Sequence, residues 1–225
     1  IGYDNLSVFD GFNVGPPSEC NNSLDTANMV YILHNDVAST GTCFRIAANN
    51  IVLDCEGHWI TYSTDGAQDN YGVHIESVLN ATIKNCNILD GNWSSTGSGR
   101  AGIYLYIADN ATLINNFVNT SNASTLDMDL TSYANISNFT GVSNLSNSID
   151  IGSSEYNNLY DVDAICLNPN GTWCFNMYAC SYNNIVSSSS LNYADRSFFI
   201  SAGSNNNISY TNATCLGEGW GFMIS

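Results

Sequence analysis

The chain repeats itself, and that constrains its fold more than any other property. GVHIESVLNATIKNCNILD at 72–90 and GIYLYIADNATLINNFVNT at 102–120 are one phrase at an offset of 30. TCFRIAANNIVLDCEGHWI at 42–60 falls on the same offset, with a one-residue shift around Arg45 and Ile46. LDMDLTSYANIS (126–137), IDIGSSEYNNLY (149–160), FNMYACSYNNIV (175–186) and FFISAGSNNNIS (198–209) continue the series. Each unit holds a short apolar strand, a small polar bend, an Asn and a second strand. Taking that Asn as the marker gives Asn50, Asn80, Asn110, Asn135, Asn158, Asn184 and Asn207, seven coils in all.

A period in the twenties, with β-branched and aromatic residues on two-residue spacing, is the pattern of a β-solenoid rung and not of a helix. The leucine consensus of leucine-rich repeats is missing, and propeller blades need about 40 residues or more. The marker Asn is expected at a sharp bend, because Asn tolerates left-handed backbone angles and its amide can bond the equivalent amide one rung away. The expectation is therefore an all-β, parallel β-helix over 40–225 with a stacked Asn ladder. Residues 1–39, with a Gly/Pro-rich stretch at 11–20 and an apparent strand at 29–37, read as an N-terminal cap. The segment Gly219, Trp220, Gly221, Phe222, Met223, Ile224 and Ser225 matches the opening strand of a further coil and stops before its bend. An unfinished coil exposes unpaired strand groups, so either a neighbouring subunit, stacking head to tail, or a following domain is expected to complete it at this segment.

Eight cysteines, at 20, 43, 55, 86, 166, 174, 180 and 215, form an even set with no CxxC pair and no Cys/His spacing typical of zinc. Disulfides in an oxidising compartment are expected. Cys20 with Cys43, and Cys166 with Cys174 across LNPNGTW, are the pairs nearest to hand. Asn-x-Ser/Thr occurs thirteen times, at Asn5, Asn21, Asn80, Asn92, Asn110, Asn119, Asn122, Asn135, Asn138, Asn144, Asn170, Asn207 and Asn212. Given 34 Asn and 43 Ser plus Thr in 225 residues, this is roughly twice the chance number. Acceptor asparagines must reach solvent in a secreted protein, so N-glycans and an extracellular, cell-surface location are expected. The Ile1 start fits a processed secretory protein and part of a longer precursor equally well, and dense sequons with few basic residues suit an archaeal surface protein.

Arg45, Lys84, Arg100 and Arg196 are the only basic residues against twenty acids, a formal charge of −16. That balance excludes nucleic acid as a partner and leaves no polybasic stretch for an anionic membrane. No apolar run approaches the roughly 18 residues that a spanning helix requires.

The segments NNIVLDCEGHWI (49–60), SVLNATIKNCNI (77–88) and IADNATLINN (107–116) resemble the right-handed parallel β-helix repeats of pectin-lyase-like and NosD-like surface proteins. The resemblance covers about residues 40 to 225. It implies the fold and leaves the activity open, because such proteins include lyases, hydrolases, adhesins and proteins with no known reaction. The Gly-His-Gly element and Arg-x-Lys pair of polygalacturonase-like members are absent, and GVHI around His74 is a poor substitute. The basic residues that pectate-lyase-like members set beside Ca²⁺ are also lacking.

Asp127, Asp129 and Asp150 are the acids worth following. Asp127 and Asp150 share a register on adjacent coils, and strands there lie about 4.8 Å apart. Such a pair suits an acid and base for glycoside chemistry, or oxygen ligands for Ca²⁺. His34, His58 and His74 are widely separated and read as surface or turn residues. Tyr104, Tyr106, Trp93, Trp173 and Trp220 read as packing residues or platforms for sugar rings. No GxSxG element supports a serine triad. The leading expectation is a structural protein of a cell surface or extracellular filament; the competing one is a carbohydrate-active enzyme or adhesin using one face of the solenoid.

Overall fold

A computed structural model describes residues 20, 22–92, 99–167, 173–194 and 196–225. Among these there is no helix, and the strands stack in parallel as a β-solenoid of about eight turns. No helix of the described residues is long and apolar enough to cross a membrane.

Each full turn passes three faces. The first is a nine-stranded sheet in the order β1 (Asn22–Leu24), β4 (Phe44–Ile46), β7 (Tyr71–Glu76), β10 (Ala101–Tyr106), β12 (Ser124–Asp129), β14 (Ile149–Gly152), β16 (Trp173–Tyr178), β19 (Arg196–Ser201) and β22 (Phe222–Ile224). The second carries β2 (Val30–Ile32), β5 (Val52–Asp54), β8 (Thr82–Lys84), β17 (Asn184–Val186) and β20 (Asn207–Ser209). The third carries β3 (Val37–Ala38), β6 (Trp59–Tyr62), β9 (Asn87–Asp90), β18 (Ser189–Asn192) and β21 (Asn212–Cys215). In the middle turns β11 (Thr112–Thr120), β13 (Asn135–Ser143) and β15 (Asn158–Cys166) run through the corner between the second and third faces. They can do so because Asn115, Asn138 and Asp161 take φ of 54°, 47° and 56°, a left-handed region in which short polar side chains cost least.

Alternation on the first face sends Phe44, Val73, Ile103, Leu126, Ile149, Phe175 and Phe198 inward, all fully buried. Each such side chain contributes about 1.5–3 kcal/mol of burial, and the column continues unbroken from turn to turn.

Residues 22–38, expected outside the repeat, form the first turn of the solenoid: β1, β2 and β3 pair in parallel with β4, β5 and β6. The marker needs a correction as well. Register on the second face runs Val30, Val52, Thr82, Thr112, Asn135, Asn158, Asn184 and Asn207. Asn135 thus stands opposite Thr112, not Asn110, and the marker Asn shifts by two residues halfway along the rod.

The expected amide ladder therefore exists in two pieces. In the first, Asn50 Nδ2 donates to Asn28 Oδ1 and Asn80 Nδ2 to Asn50 Oδ1, each at 2.8 Å. Asn28, Asn50, Asn80 and Asn110 all have φ between 58° and 63°. In the second, Asn158 donates to Asn135 at 3.2 Å, Asn184 to Asn158 at 3.5 Å and Asn207 to Asn184 at 2.8 Å. Here the left-handed corner falls two residues earlier, on Tyr133, Tyr156, Tyr182 and Asn205. Those tyrosines stack outside, with centroids 5.2 and 4.9 Å apart and planes within 8°.

A third ladder runs inside the rod. Asn157 Nδ2 donates to Asn183 Oδ1 at 3.0 Å and Asn183 Nδ2 to Asn206 Oδ1 at 3.1 Å. The same side chains serve the backbone N–H of Ala134, Asn157 and Asn183 and the carbonyls of Thr131, Ser154 and Cys180. In a low-dielectric interior such a saturated network fixes register, and losing one member leaves several groups unpaired.

Disulfides join Cys20 to Cys43, Cys55 to Cys86 and Cys166 to Cys174. The first two tie successive turns together at the amino-terminal end. Cys180, grouped by sequence with the disulfide candidates, is a buried thiol with its pKa raised by burial, its sulfur 3.2 Å from the carbonyls of Ile151 and Tyr178. Cys215 Sγ lies 3.7 Å from the Gly217 carbonyl.

Candidate functional site

The outer surface of the first face collects the chemistry. Parallel register sets Arg45, His74, Tyr104, Asp127, Asp150, Asn176 and Phe199 in one outward row. A second row holds Glu76, Tyr106, Asp129, Gly152 and Tyr178. The offset of 23 between 126–137 and 149–160 already places Asp127 against Asp150.

The acids differ in their surroundings. Asp150 is held by two amides: Asn147 Nδ2 donates to Oδ2 at 2.9 Å and Asn176 Nδ2 to Oδ1 at 2.8 Å. Burial, then the charges of Asp150 and Asp129, push Asp127 up to about 7. Asp129 leans toward Gly152, where a Cβ would lie 3.2 Å from its Oδ1, so the missing side chain leaves its carboxylate room. Burial and two neighbouring carboxylates thus act together to raise the pKa of Asp127.

Beside them lies an aromatic group. Tyr71 stacks on Tyr104 with centroids 5.0 Å apart and planes at 14°, and Tyr104 lies 6.2 Å from Tyr106. Burial, followed by the neighbouring Asp127, raises Tyr104 to about 12. His74 packs 4.8 Å from Tyr71 and 5.3 Å from Tyr104. It is only 6 % exposed, which corrects its reading as a surface histidine. Neither ring nitrogen has a hydrogen-bond partner, and Nε2 stands 3.6 Å from Glu76 Oε2. Burial, then Arg45, hold its pKa below the usual value. Asn147 and Tyr71 carry no signal in the sequence that ties them to this site, whereas the strand offset aligns Asn176 with Asp150.

The remaining candidates lie apart. His34 sits 3.7 Å from Glu56 and His58 3.2 Å from Asp36 on bends. Trp173 stacks on Phe199 at 4.4 Å under the Arg196 guanidinium. Trp220 is exposed at the carboxy-terminal end, and Trp93 lies outside the described residues. Among the described residues no group of three or more His, Cys, Asp or Glu is placed to hold a metal ion.

The sequons occupy other surfaces. Asn5, Asn21 and Asn170 lie outside the described residues. Of the rest, Asn80, Asn110, Asn135, Asn138, Asn207 and Asn212 are exposed, and Asn92, Asn119, Asn122 and Asn144 are partly so. Asn116, Asn157, Asn183 and Asn192, the buried asparagines, are all outside sequons. No strand of the first face contains a sequon asparagine, although the Asn122 sequon ends on Ser124, the first residue of β12.

At the carboxy-terminal end the buried aromatic column of Phe175 and Phe198 runs on to Phe222, at centroid spacings of 4.4 and 4.9 Å. Phe222 is 43 % exposed and Ile224 68 %, and among the described residues β22 pairs with β19 alone.

The chain matches no protein-family model, and no curated protein is significantly similar to it. The parallel solenoid and its three disulfides are compatible with an extracellular protein.

Proposed function

We propose that the protein is an extracellular structural rod, coated with N-glycans on its second and third faces and around its loops, whose subunits stack head to tail. The fold belongs, on this reading, with the pectin-lyase-like and NosD-like surface solenoids. One observation carries the proposal: every described sequon asparagine reaches solvent, whereas the buried asparagines fall outside sequons. If Asn-x-Ser/Thr merely reflected the abundance of turn residues, the buried ladders would contain sequons too. The aromatic column that reaches Phe222 and the outer edge of β22 supply the stacking surface, since a parallel edge with apolar side chains attracts further strands. Such a contact is heterologous and propagates as an open filament.

Glycopeptide mapping of the protein from its native source tests the coat. Occupancy at several of the exposed sequons is expected; bare asparagines throughout would overturn it.

A second reading rests on Asp127 and Asp150. A carboxyl whose pKa is pushed up to about 7, in register with a second carboxyl on the next strand, is the arrangement for acid and base work on a glycosidic bond. It makes the first face a carbohydrate-active or carbohydrate-binding surface, with Ca²⁺ as a further oxygen-bound occupant. Replacing Asp127, Asp129 and Asp150 without loss of any glycan cleavage or binding would remove it.

A further inference from the structure

We propose that two exposed tyrosines, Tyr210 and Tyr133, receive the chain's own N-glycans, each ring taking the first pyranose on the sequon asparagine two residues further on, Asn212 and Asn135. The inference rests on the glycan coat proposed above and deepens it, because it assigns the sugar a place on the protein surface.

The corners supply the first observation. Tyr210 takes φ 52° at the corner between the second and third faces. In the same column the left-handed residues of the other turns are Asn85, Asn115, Asn138, Asp161 and Ser187, all short and polar. A tyrosine is a costly choice there. At the first corner Tyr156 and Tyr182 offset that cost by stacking in the ring column, and the asparagines that follow them, Asn158 and Asn184, are no sequons. Among the described residues no ring stacks on Tyr210, which is 89 % exposed. Tyr133, the first ring of the column, has Tyr156 on one face and no ring on the other, and is 53 % exposed.

Spacing supplies the second. In both pairs the tyrosine and the asparagine are exposed while the residue between them turns inward, Ala134 buried and Thr211 half-buried, so ring and amide leave the rod on one side. At Asn135 the atom that takes the sugar, Nδ2, donates to the Tyr133 carbonyl at 3.5 Å, and a glycosylated amide keeps the one hydrogen that this bond needs. Along the whole chain an aromatic stands two residues before four of the thirteen sequons, at Tyr3, Phe117, Tyr133 and Tyr210, more than twice the chance number when aromatics are 12 % of the residues. Tyr3 lies outside the described residues, and Phe117 packs on Trp59. A pyranose presents C–H groups on its ring faces, and an aromatic ring that meets them removes apolar surface of both from water. Because the sugar is tethered two residues away, the contact is intramolecular and needs no free ligand.

Glycopeptide mapping of the full chain comes first: a bare Asn212 overturns the assignment at Tyr210, whereas only bare asparagines throughout overturn the coat. NMR of the dilute glycoprotein then reads the contact, with the Asn212 sugar signals identified by their loss in Thr214→Ala, which breaks that sequon. An upfield ring-current shift of those sugar protons is expected, kept in Tyr210→Phe and lost in Tyr210→Asn. Unshifted protons on an occupied Asn212 would overturn the proposal and leave the coat standing. A shift that appears only when rods assemble would give the ring to the contact between subunits, and would overturn it too. Thermal unfolding adds a second readout. Tyr210→Asn relieves the corner, yet it is expected to lower the midpoint of the glycosylated protein by about 2 °C and to raise that of the Thr214→Ala protein. A change of the same sign in both backgrounds would mean that the ring answers to the backbone alone, and would contradict the assigned contact.

Discussion

The amino-terminal and carboxy-terminal turns solve the same corner differently. From Asn28 to Asn110 the left-handed residue is Asn throughout, the cheapest non-glycine choice, and its amide bonds the next rung. From Tyr133 to Tyr182 the same corner holds tyrosine, for which a left-handed φ costs about 1–2 kcal/mol. Two compensations appear there: each ring stacks on its neighbour, a contact worth about 0.5–1.5 kcal/mol, and the two positions after Tyr156 and Tyr182 become Asn-Asn doublets, where Ala134-Asn135 follows Tyr133. The first Asn of each doublet turns inward to build the buried ladder and the second outward to continue the exposed one. The amino-terminal turns, where Asn116 is the buried amide, rely on inter-turn disulfides instead. A corner that loses its best local residue can thus be held by contacts between rungs.

The sharpest way to break this contrast is at the buried ladder. Asn183→Ala strands the Asn157 N–H, the Asn157 amide and the Ser154 carbonyl, so a loss of roughly 4 kcal/mol is expected. Asn80→Ala, in the exposed ladder, is expected to cost about 1–2 kcal/mol. Urea unfolding of both variants measures the difference, and equal losses would mean that the inner ladder carries no special weight.

Disulfides come next. In the chain-entropy account, Cys55–Cys86, spanning 31 residues, stabilises by roughly 3.7 kcal/mol. Cys166–Cys174, spanning 8, gives roughly 2.5 kcal/mol. Paired Cys→Ala variants should therefore lower the unfolding midpoint more at the amino-terminal end.

Asp127 supplies a pH-dependent test. Its folded pKa of about 7 lies above the ordinary value, so between roughly pH 4 and 7 the folded state binds more protons than the unfolded one, and stability falls as pH rises. Asp127→Asn removes that penalty. It should stabilise the protein by about 2 kcal/mol at pH 8, discounted for partial exposure, and by almost nothing at pH 4. A stabilisation that does not change with pH would contradict the assigned environment.

The smallest effect is expected at the tyrosine stack. Tyr156→Asn loses two ring contacts and gains a residue suited to φ 58°, leaving a net change within about 1 kcal/mol. Tyr156→Ala loses the contacts with less backbone relief and should be the worse of the pair in thermal unfolding.

Much of this architecture was legible in the chain, because a solenoid imposes one local pattern on every turn. The offsets of 30 and 23 are the register of the β8 to β11 and β11 to β13 pairings, and they brought Asp127 opposite Asp150. What escaped did so for physical reasons. Residues 22–38 share the geometry of a turn but little of its wording, since Asn28 and the strand VYI are all that survive of the phrase. The two-residue shift at Asn135 was invisible because Asn suits both an αL corner and a ladder position. His74 looked like a surface residue because strand alternation points it outward; it is buried by Tyr71 and Tyr104 on its own and the next rung, a contact between turns that no single unit records.

The central claim, a rod that extends by stacking, is tested most directly by electron microscopy of the purified native protein. About eight turns at a rise of about 4.8 Å make one solenoid of roughly 38 Å. The account predicts filaments whose subunits repeat on that scale and whose contacts bury Phe222 and Ile224. Dispersed single particles at all concentrations, with the β22 edge open to solvent, would contradict it.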